Sequence, residues 1–109
     1  MSTPRPGRRV RGSTTGRPIM ALLDLLGRRG ALRVLWELRA GPLTFRALQD
    51  AAQSNPSALN TRLTELREAG IVEHDGDGYS LTARGKNLLR RLAPLHEWAE
   101  RWAREHGSP

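Results

Sequence analysis

Residues 44–70, TFRALQDAAQSNPSALNTRLTELREAG, constrain the fold of this chain more than any other stretch. Apolar residues repeat at helical spacing from Phe45, and Thr44 can cap that helix. Asn55 and Pro56 then suit the cap and the first position of a second helix, because a proline there lacks only an amide hydrogen that would be unpaired anyway. A leucine stripe at positions 59, 63 and 66 follows and ends at a glycine. The stretch therefore predicts two short helices joined by a tight turn.

The second helix of this pair has a polar side opposite its leucines. That side carries Ser57, Thr61, Thr64 and Glu68, with Asn60 and Arg67 on one flank and Arg62 on the other. Hydroxyl, amide and guanidinium groups on one helix can hydrogen-bond base edges and phosphates in a DNA major groove. The pattern predicts a helix-turn-helix, and the alternative is an ordinary helical hairpin whose polar side meets water.

The residues after the second helix favour the helix-turn-helix. An apolar run begins at Ile71, the sequence DGDG at 75–78 is a strong hairpin turn, and a second alternating run begins at Tyr79. Leu43 and Thr44 can add a further short strand beside this hairpin. The order helix, turn, helix, hairpin predicts a winged helix-turn-helix, a mainly α fold with a small β-hairpin wing (α+β).

Composition narrows the class of protein. The chain has 109 residues, enough for one domain, and its lack of cysteine excludes disulfides, thiolate nucleophiles and cysteine metal sites. No apolar run approaches the ~20 residues of a membrane span and no signal peptide is evident, so we expect no membrane partner and a cytoplasmic, nucleoid-associated location. The formal net charge of +7 indicates a polyanionic partner.

Much of this charge lies at the start of the chain. Five arginines and no acidic residue lie within residues 1–18, together with prolines and glycines. Such a stretch buries too little apolar surface to order itself, so residues 1–17 are predicted to be a flexible basic tail and residues 18–107 the folded domain. Arg8, Arg9 and Arg11 are expected to contact DNA, and the alternative is a solvated leader.

Helices at both ends of the domain are more apolar than one small core requires. Pro18 opens a helix that is apolar nearly all round, and the last helix, capped by Thr82, carries a coiled-coil-like seam. We expect both to form a homodimer interface, whereas the alternative for the last helix is packing on its own core. The predicted interface residues are Ile19, Leu22, Leu23, Leu26, Leu88, Leu92, Leu95, Trp98, Ala99 and Trp102.

Three further expectations concern helix faces and boundaries. Leu25 falls off the apolar face of the first helix. A second helix is expected over residues 31–39, with Leu32, Leu35 and Leu38 facing inward. Pro94 requires the last helix to kink or restart, because proline removes a hydrogen bond from the helix interior.

The pieces LWELRAGPLTFRAL, NPSALNTRLTELREAGIV and YSLTARG follow one another as in the HxlR group of small bacterial winged-helix regulators, relatives of the MarR type. The chain resembles that group over about residues 22–102. The resemblance implies a homodimer that binds a pseudo-palindromic operator and regulates neighbouring genes. It places the DNA-facing residues at Ser57, Ala58, Asn60, Thr61 and Arg62.

Two departures from the group narrow these implications. Many members carry a redox-sensing cysteine near the start, and the absence of cysteine here excludes thiol sensing. The wing is the short, acidic HDGDG, whose charge opposes phosphate contact. Arg46, Arg84 and Lys86 are therefore the expected phosphate contacts, with solvated side chains as the alternative.

No catalytic, metal or cofactor site is predicted. The segment HEWAE at 96–100 lacks the second histidine of a zinc-protease helix, the wing lacks the ligands of a calcium loop, and no GxxxxGK[ST] run is present. An unknown small-molecule effector is a further expected partner if a pocket at the dimer interface is lined by Trp36, Trp98, Trp102 and Met20, although core packing is the commoner use of such residues.

The sequence thus predicts a sequence-specific double-stranded DNA-binding transcriptional regulator, a homodimer and a repressor, acting on an inverted-repeat operator. Two alternatives stay open: a non-specific or architectural nucleic-acid binder that uses the arginine tail, and a winged helix that docks a protein partner. The neutral, hydrogen-bonding helix face favours the first of the three.

Overall fold

A computed structural model of the protein describes residues 17–76 and 78–107. Its elements, in chain order, are α1 (Pro18–Leu26), α2 (Ala31–Glu37), α3 (Phe45–Ala52), α4 (Pro56–Glu68), β1 (Val72–Asp75), β2 (Gly78–Leu81) and α5 (Ala83–Glu105). Helices α3 and α4 form the helix-turn-helix, and the antiparallel pair β1 and β2 forms the wing. The predicted winged helix-turn-helix is confirmed.

Side-chain caps start both helices of the motif. The Thr44 hydroxyl accepts a hydrogen bond from the Ala47 amide at 3.1 Å, and the Asn55 side chain accepts one from the Ala58 amide at 2.8 Å. Pro56 follows in the first turn of α4. Each cap satisfies an amide that has no partner inside its helix, and both predicted helix starts are confirmed.

The wing is extended by one residue from the segment before α3. The amide of Leu43 donates to the carbonyl of Tyr79 at 2.9 Å, and the amide of Tyr79 donates back at 2.8 Å. The expected further strand is therefore a single bridge. A β-carbon on Gly78 would lie 2.5 Å from the Leu43 carbonyl oxygen, so a glycine is required where this bridge meets β2.

The core lies between the leucine stripe of α4 and the inner sides of α2, α3 and the wing. Leu59, Leu63 and Leu66 are each at most 1% exposed, and Leu35 and Leu48 are fully buried. Because α4 is held along its leucine stripe, its opposite side is left at the surface.

The core face of α2 agrees with the prediction at Leu35 and Leu38 but not at Leu32. The buried stripe runs through positions 31, 34, 35 and 38, whereas Leu32 is 49% exposed. The helix also ends at Glu37 rather than at residue 39. The prediction for Leu32 was wrong because the stripe begins at Ala31, which places the next residue off the buried side.

Helix α1 has two apolar sides with different surroundings. Leu25 and Leu26 are 3% and 7% exposed in the core, and Leu22 packs against the same core, whereas Ile19 and Leu23 are about half exposed. Leu25 therefore lies on a second apolar side of α1, off the predicted face, whereas the assignment of Leu26 to an interface was wrong. The tight turn after α1 folds this end of the helix onto α2, which buries both leucines within the chain itself.

Helix α5 runs without interruption from Ala83 to Glu105 through Pro94. Of the two predicted outcomes, the restart is therefore wrong and the kink stays a prediction. Pro94 and Arg90, whose carbonyl loses its amide partner, are both exposed, so water can satisfy that carbonyl.

The two halves of α5 have different surroundings. In the first half, Leu88 and Leu92 are partly buried against the core, and a side chain at Gly85 would overlap the carbonyl oxygen of Ile71. Packing on the chain's own core, the alternative to dimerisation, holds for this half, which corrects the assignment of Leu88 and Leu92 to an interface alone. The second half leaves its large apolar side chains exposed.

Candidate nucleic-acid interface

The exposed side of α4 carries five of the predicted DNA contacts, Ser57, Ala58, Asn60, Thr61 and Thr64, which we call the recognition surface. The Thr61 hydroxyl donates to the Ser57 carbonyl at 3.1 Å, and the Thr64 hydroxyl donates to the Asn60 carbonyl at 2.9 Å. Both hydroxyl oxygens can still accept a hydrogen bond from outside. The Asn60 amide makes no hydrogen bond within the described residues, so its donors and its acceptor are free for a ligand.

A chain of buried charges, which sequence analysis missed, lies beside the recognition surface. Glu65 of α4 is only 6% exposed. One of its carboxylate oxygens pairs with Arg28, and the other accepts a hydrogen bond from the Arg62 guanidinium at 2.7 Å. Arg28 also contacts Asp24 of α1 at 3.1 Å. Alternating charges therefore connect α1, the α1–α2 turn and α4.

This network gives Arg62 an internal partner. The Arg62 side chain is 21% exposed, and its Nε is buried with no hydrogen-bond partner among the described residues. The i, i+3 spacing of Arg62 and Glu65 was visible in the sequence, but Arg28 precedes Glu65 by 37 residues and no local pattern connects them. A contact from Arg62 to DNA would have to use a guanidinium N–H group other than those of the Nη1 that binds Glu65, or break that pair.

The other predicted phosphate contacts lie on different elements. Arg46 is exposed on α3, and Arg84 and Lys86 are exposed in the first turn of α5. The Arg84 guanidinium lies next to Gly70, at the end of α4. The tail arginines Arg8, Arg9 and Arg11, like Asp77 of the wing, lie outside the described residues.

Large apolar side chains are exposed on α1, α2 and α5. We call them the apolar surface: Ile19, Leu23, Leu32, Trp36, Leu95, Trp98 and Trp102, each 46–59% exposed. The Trp98 and Trp102 rings stack with their centroids 6.1 Å apart, and the Trp36 ring stacks on His96 of α5 at 6.0 Å. The three tryptophans are therefore not core residues. The contribution of α2 to this surface was not predicted, because Leu32 was expected to face inward.

The described ranges, 17–76 and 78–107, contain no helix that is long and apolar enough to cross a membrane. Within the same ranges, no three potential metal ligands lie together. His96 and Glu100 approach to 3.7 Å on the exposed side of α5 and have no third ligand there.

Comparisons with known proteins agree with this architecture. The family model described as the HVO_A0261 N-terminal domain matches residues 19–104. An HTH-type transcriptional regulator of Methanocaldococcus jannaschii is 25% identical over 88 residues, which cover 76% of this chain and 83% of that protein. An HTH-type transcriptional regulator of Synechocystis sp. is 32% identical over 93 residues, covering 78% of this chain and 69% of the relative.

A solved structure extends the comparison to the whole fold. A transcriptional regulator of the MarR family from Enterococcus faecalis V583 matches with a TM-score of 0.75, covering 91% of this chain and 97% of its own. At 22% identity this likeness shows the fold alone. Taken with the family match and the Synechocystis relative, the recognition surface on α4 and the wing lead to one conclusion: the chain belongs to the HVO_A0261 N-terminal domain family and is a winged helix-turn-helix transcriptional regulator rather than an enzyme.

Proposed function

We propose that this regulator is a homodimeric repressor of the HxlR type that recognises an inverted-repeat DNA operator through α4. The observation that carries the proposal is the recognition surface, five small neutral side chains exposed on a helix whose other side is the core. Neutral groups add little to the sequence-independent attraction of phosphates, but they can hydrogen-bond base edges. Binding by charge alone, for example through the arginine tail, would not require this neutral hydrogen-bonding surface.

Each side chain of this surface has a base-reading chemistry. The Asn60 amide has a donor and an acceptor in one plane, the combination that pairs with the major-groove edge of adenine. The Thr61 hydroxyl can donate to or accept from several bases, and the Ala58 methyl group can contact a thymine methyl. Asn60 is therefore the expected centre of sequence recognition, with Thr61 and Ala58 beside it.

Dimerisation is supported by the apolar surface. Leu95, Trp98 and Trp102 on α5 and Ile19 and Leu23 on α1 are about half exposed, and monomeric proteins seldom leave so many large apolar groups in water. A second copy of the chain can cover them, and a two-fold axis would place two α4 helices in successive major grooves about 34 Å apart. A small-molecule effector stays a prediction, and the half-exposed tryptophans are where it would bind.

Replacing Asn60 by alanine tests this function. The protein first selects DNA duplexes from a random pool, and the selected sequence serves as the operator. A scrambled duplex of the same base composition is the reference. Asn60→Ala should lose about 1–3 kcal/mol of binding to the operator and little to the scrambled duplex, because only a base contact is removed.

The matched control for Asn60→Ala is Lys86→Ala, which removes a charge and should weaken both duplexes by similar factors. Thr61→Ala and Arg62→Ala extend the series along the helix. If none of the three α4 variants changes the ratio of operator to scrambled affinity, α4 does not read sequence. The function would then be that of a non-specific binder, if binding follows charge alone, or of a protein-docking winged helix, if no duplex binds.

A further inference from the structure

The turn between α1 and α2, residues 27–30, lies along one flank of α4. Arg29 of this turn lines two grooves on that flank. The first groove also contains Thr61, and the second contains Asn55 and Ala58 at the start of α4. Arg29 therefore lies beside the recognition surface, although it precedes α4 by more than 20 residues and was not among the predicted DNA contacts.

Arg28 holds this turn in place. It pairs with Glu65 of α4 and with Asp24 of α1, so the turn is connected to the recognition helix and to the helix before it. Gly30 has φ of 87°, a left-handed conformation, and a β-carbon there would be 3.7 Å from the Arg62 side chain. The backbone on either side of Arg29 is thus positioned by its neighbours.

The charges around the turn single out Arg29. The two carboxylates, Asp24 and Glu65, face the guanidinium groups of Arg28 and Arg62. Arg29 is exposed and makes no ion pair or side-chain hydrogen bond with any residue in the described part of the chain. It is a cation without a compensating charge beside a neutral helix face.

We propose that Arg29 binds a phosphate of the DNA backbone at the edge of the major groove that α4 enters, and that Arg28 is the residue that positions it. The inference rests on the proposed function, since it requires α4 in the groove. Phosphate contacts fix the register of a protein on DNA while base contacts specify the sequence. Arg29 then contacts a DNA phosphate on one flank of α4, which the neutral side chains of the recognition surface cannot do by charge.

Arg29→Gln tests the inference on the full-length protein. Its affinity for the selected operator and for a scrambled duplex is measured between about 50 and 200 mM salt. Removal of one phosphate contact should make the negative slope of log affinity against log salt shallower by about 0.9 per protomer. It should also lower the affinities for both duplexes by similar factors, so that the ratio of operator to scrambled affinity stays unchanged. The thermal midpoint should stay that of the wild type because the side chain is exposed.

Arg101→Gln is the matched control, because Arg101 is an exposed arginine on the side of α5 away from its seam. Arg101→Gln removes the same single positive charge from α5, and it should leave the slope of log affinity against log salt nearly unchanged. If Arg29→Gln behaves like Arg101→Gln while Asn60→Ala still loses operator affinity, the phosphate assignment is wrong and the proposed function stands. A loss confined to the operator would contradict the assignment as well, since it would indicate a base contact. If the wild-type protein binds no duplex, both proposals fail.

Discussion

Glu65→Ala should lower the free energy of unfolding by about 3–5 kcal/mol, because it leaves the Arg28 and Arg62 guanidinium groups without their shared carboxylate. The side chains of Glu65 and Arg28 are only 8% and 11% exposed, so water can replace little of the lost interaction. Arg28 keeps its pair with Asp24, so most of the cost arises at Arg62 and at the lost bond from Arg28, and it does not imply that the intact pairs stabilise the fold by the same amount. Urea unfolding followed by circular dichroism measures the change.

Two variants define the range of that measurement. Glu65→Gln keeps the shape and one acceptor, and its stability should fall between those of the wild type and Glu65→Ala. Glu97→Ala removes an exposed carboxylate from α5 and should stay within about 0.5 kcal/mol of the wild type. Equal effects of Glu65→Ala and Glu97→Ala would show that the charge network contributes nothing to folding.

Leu95→Glu and Trp98→Glu should each convert a dimer into monomers. Leu95 and Trp98 are 59% and 54% exposed in the single chain, so a glutamate at either position does not disturb the hydrophobic core of the protomer. In the dimer, the glutamate charge would be buried at the interface without a partner. The free energy lost by removing it from water exceeds what the remaining contacts between the two protomers can offset. Sedimentation at micromolar concentration should show twice the chain mass of 12.1 kDa for the wild type and the single mass for the variants.

Loss of the dimer should also weaken operator binding by about 10²–10⁴-fold, because the second half-site no longer binds at a high effective concentration. Arg90→Glu places a glutamate on the opposite, exposed side of α5, changes the net charge by two units rather than one, and should still leave the dimer intact. A wild-type protein that sediments only at 12.1 kDa would contradict the dimer directly. Variants that stay dimeric would place the interface elsewhere.

Local patterns in the sequence were sufficient to predict the motif and the wing. The caps at Thr44 and Asn55 and the glycine-rich turn before Tyr79 each depend on neighbours within a few residues, so their chemistry can be read from spacing alone. The recognition surface follows from the same periodicity, because burying the leucine stripe of α4 exposes its other side.

Features that depend on distant parts of the chain could not be predicted in this way. The pair of Glu65 with Arg28 is formed by the path of the turn after α1, and no spacing reveals it. Helix α1 shows why an apolar pattern is ambiguous: Leu26 and Leu23 look alike in the sequence, yet one lies in the core and the other at the surface. Solvent exposure, which allows Pro94 to remain inside α5, is likewise a property of the fold.

Selection of duplexes from a random pool by the full-length protein at physiological salt tests the central claim most directly. We expect the selected duplexes to share an inverted repeat whose half-site centres lie about one helical turn, or a multiple of it, apart. Two α4 helices related by a two-fold axis would each read one half-site. The repeat should be lost from the selected duplexes when Asn60→Ala is used in the selection. If the selected duplexes share no common sequence, although the protein binds them with an affinity that depends strongly on salt, sequence recognition by α4 is contradicted.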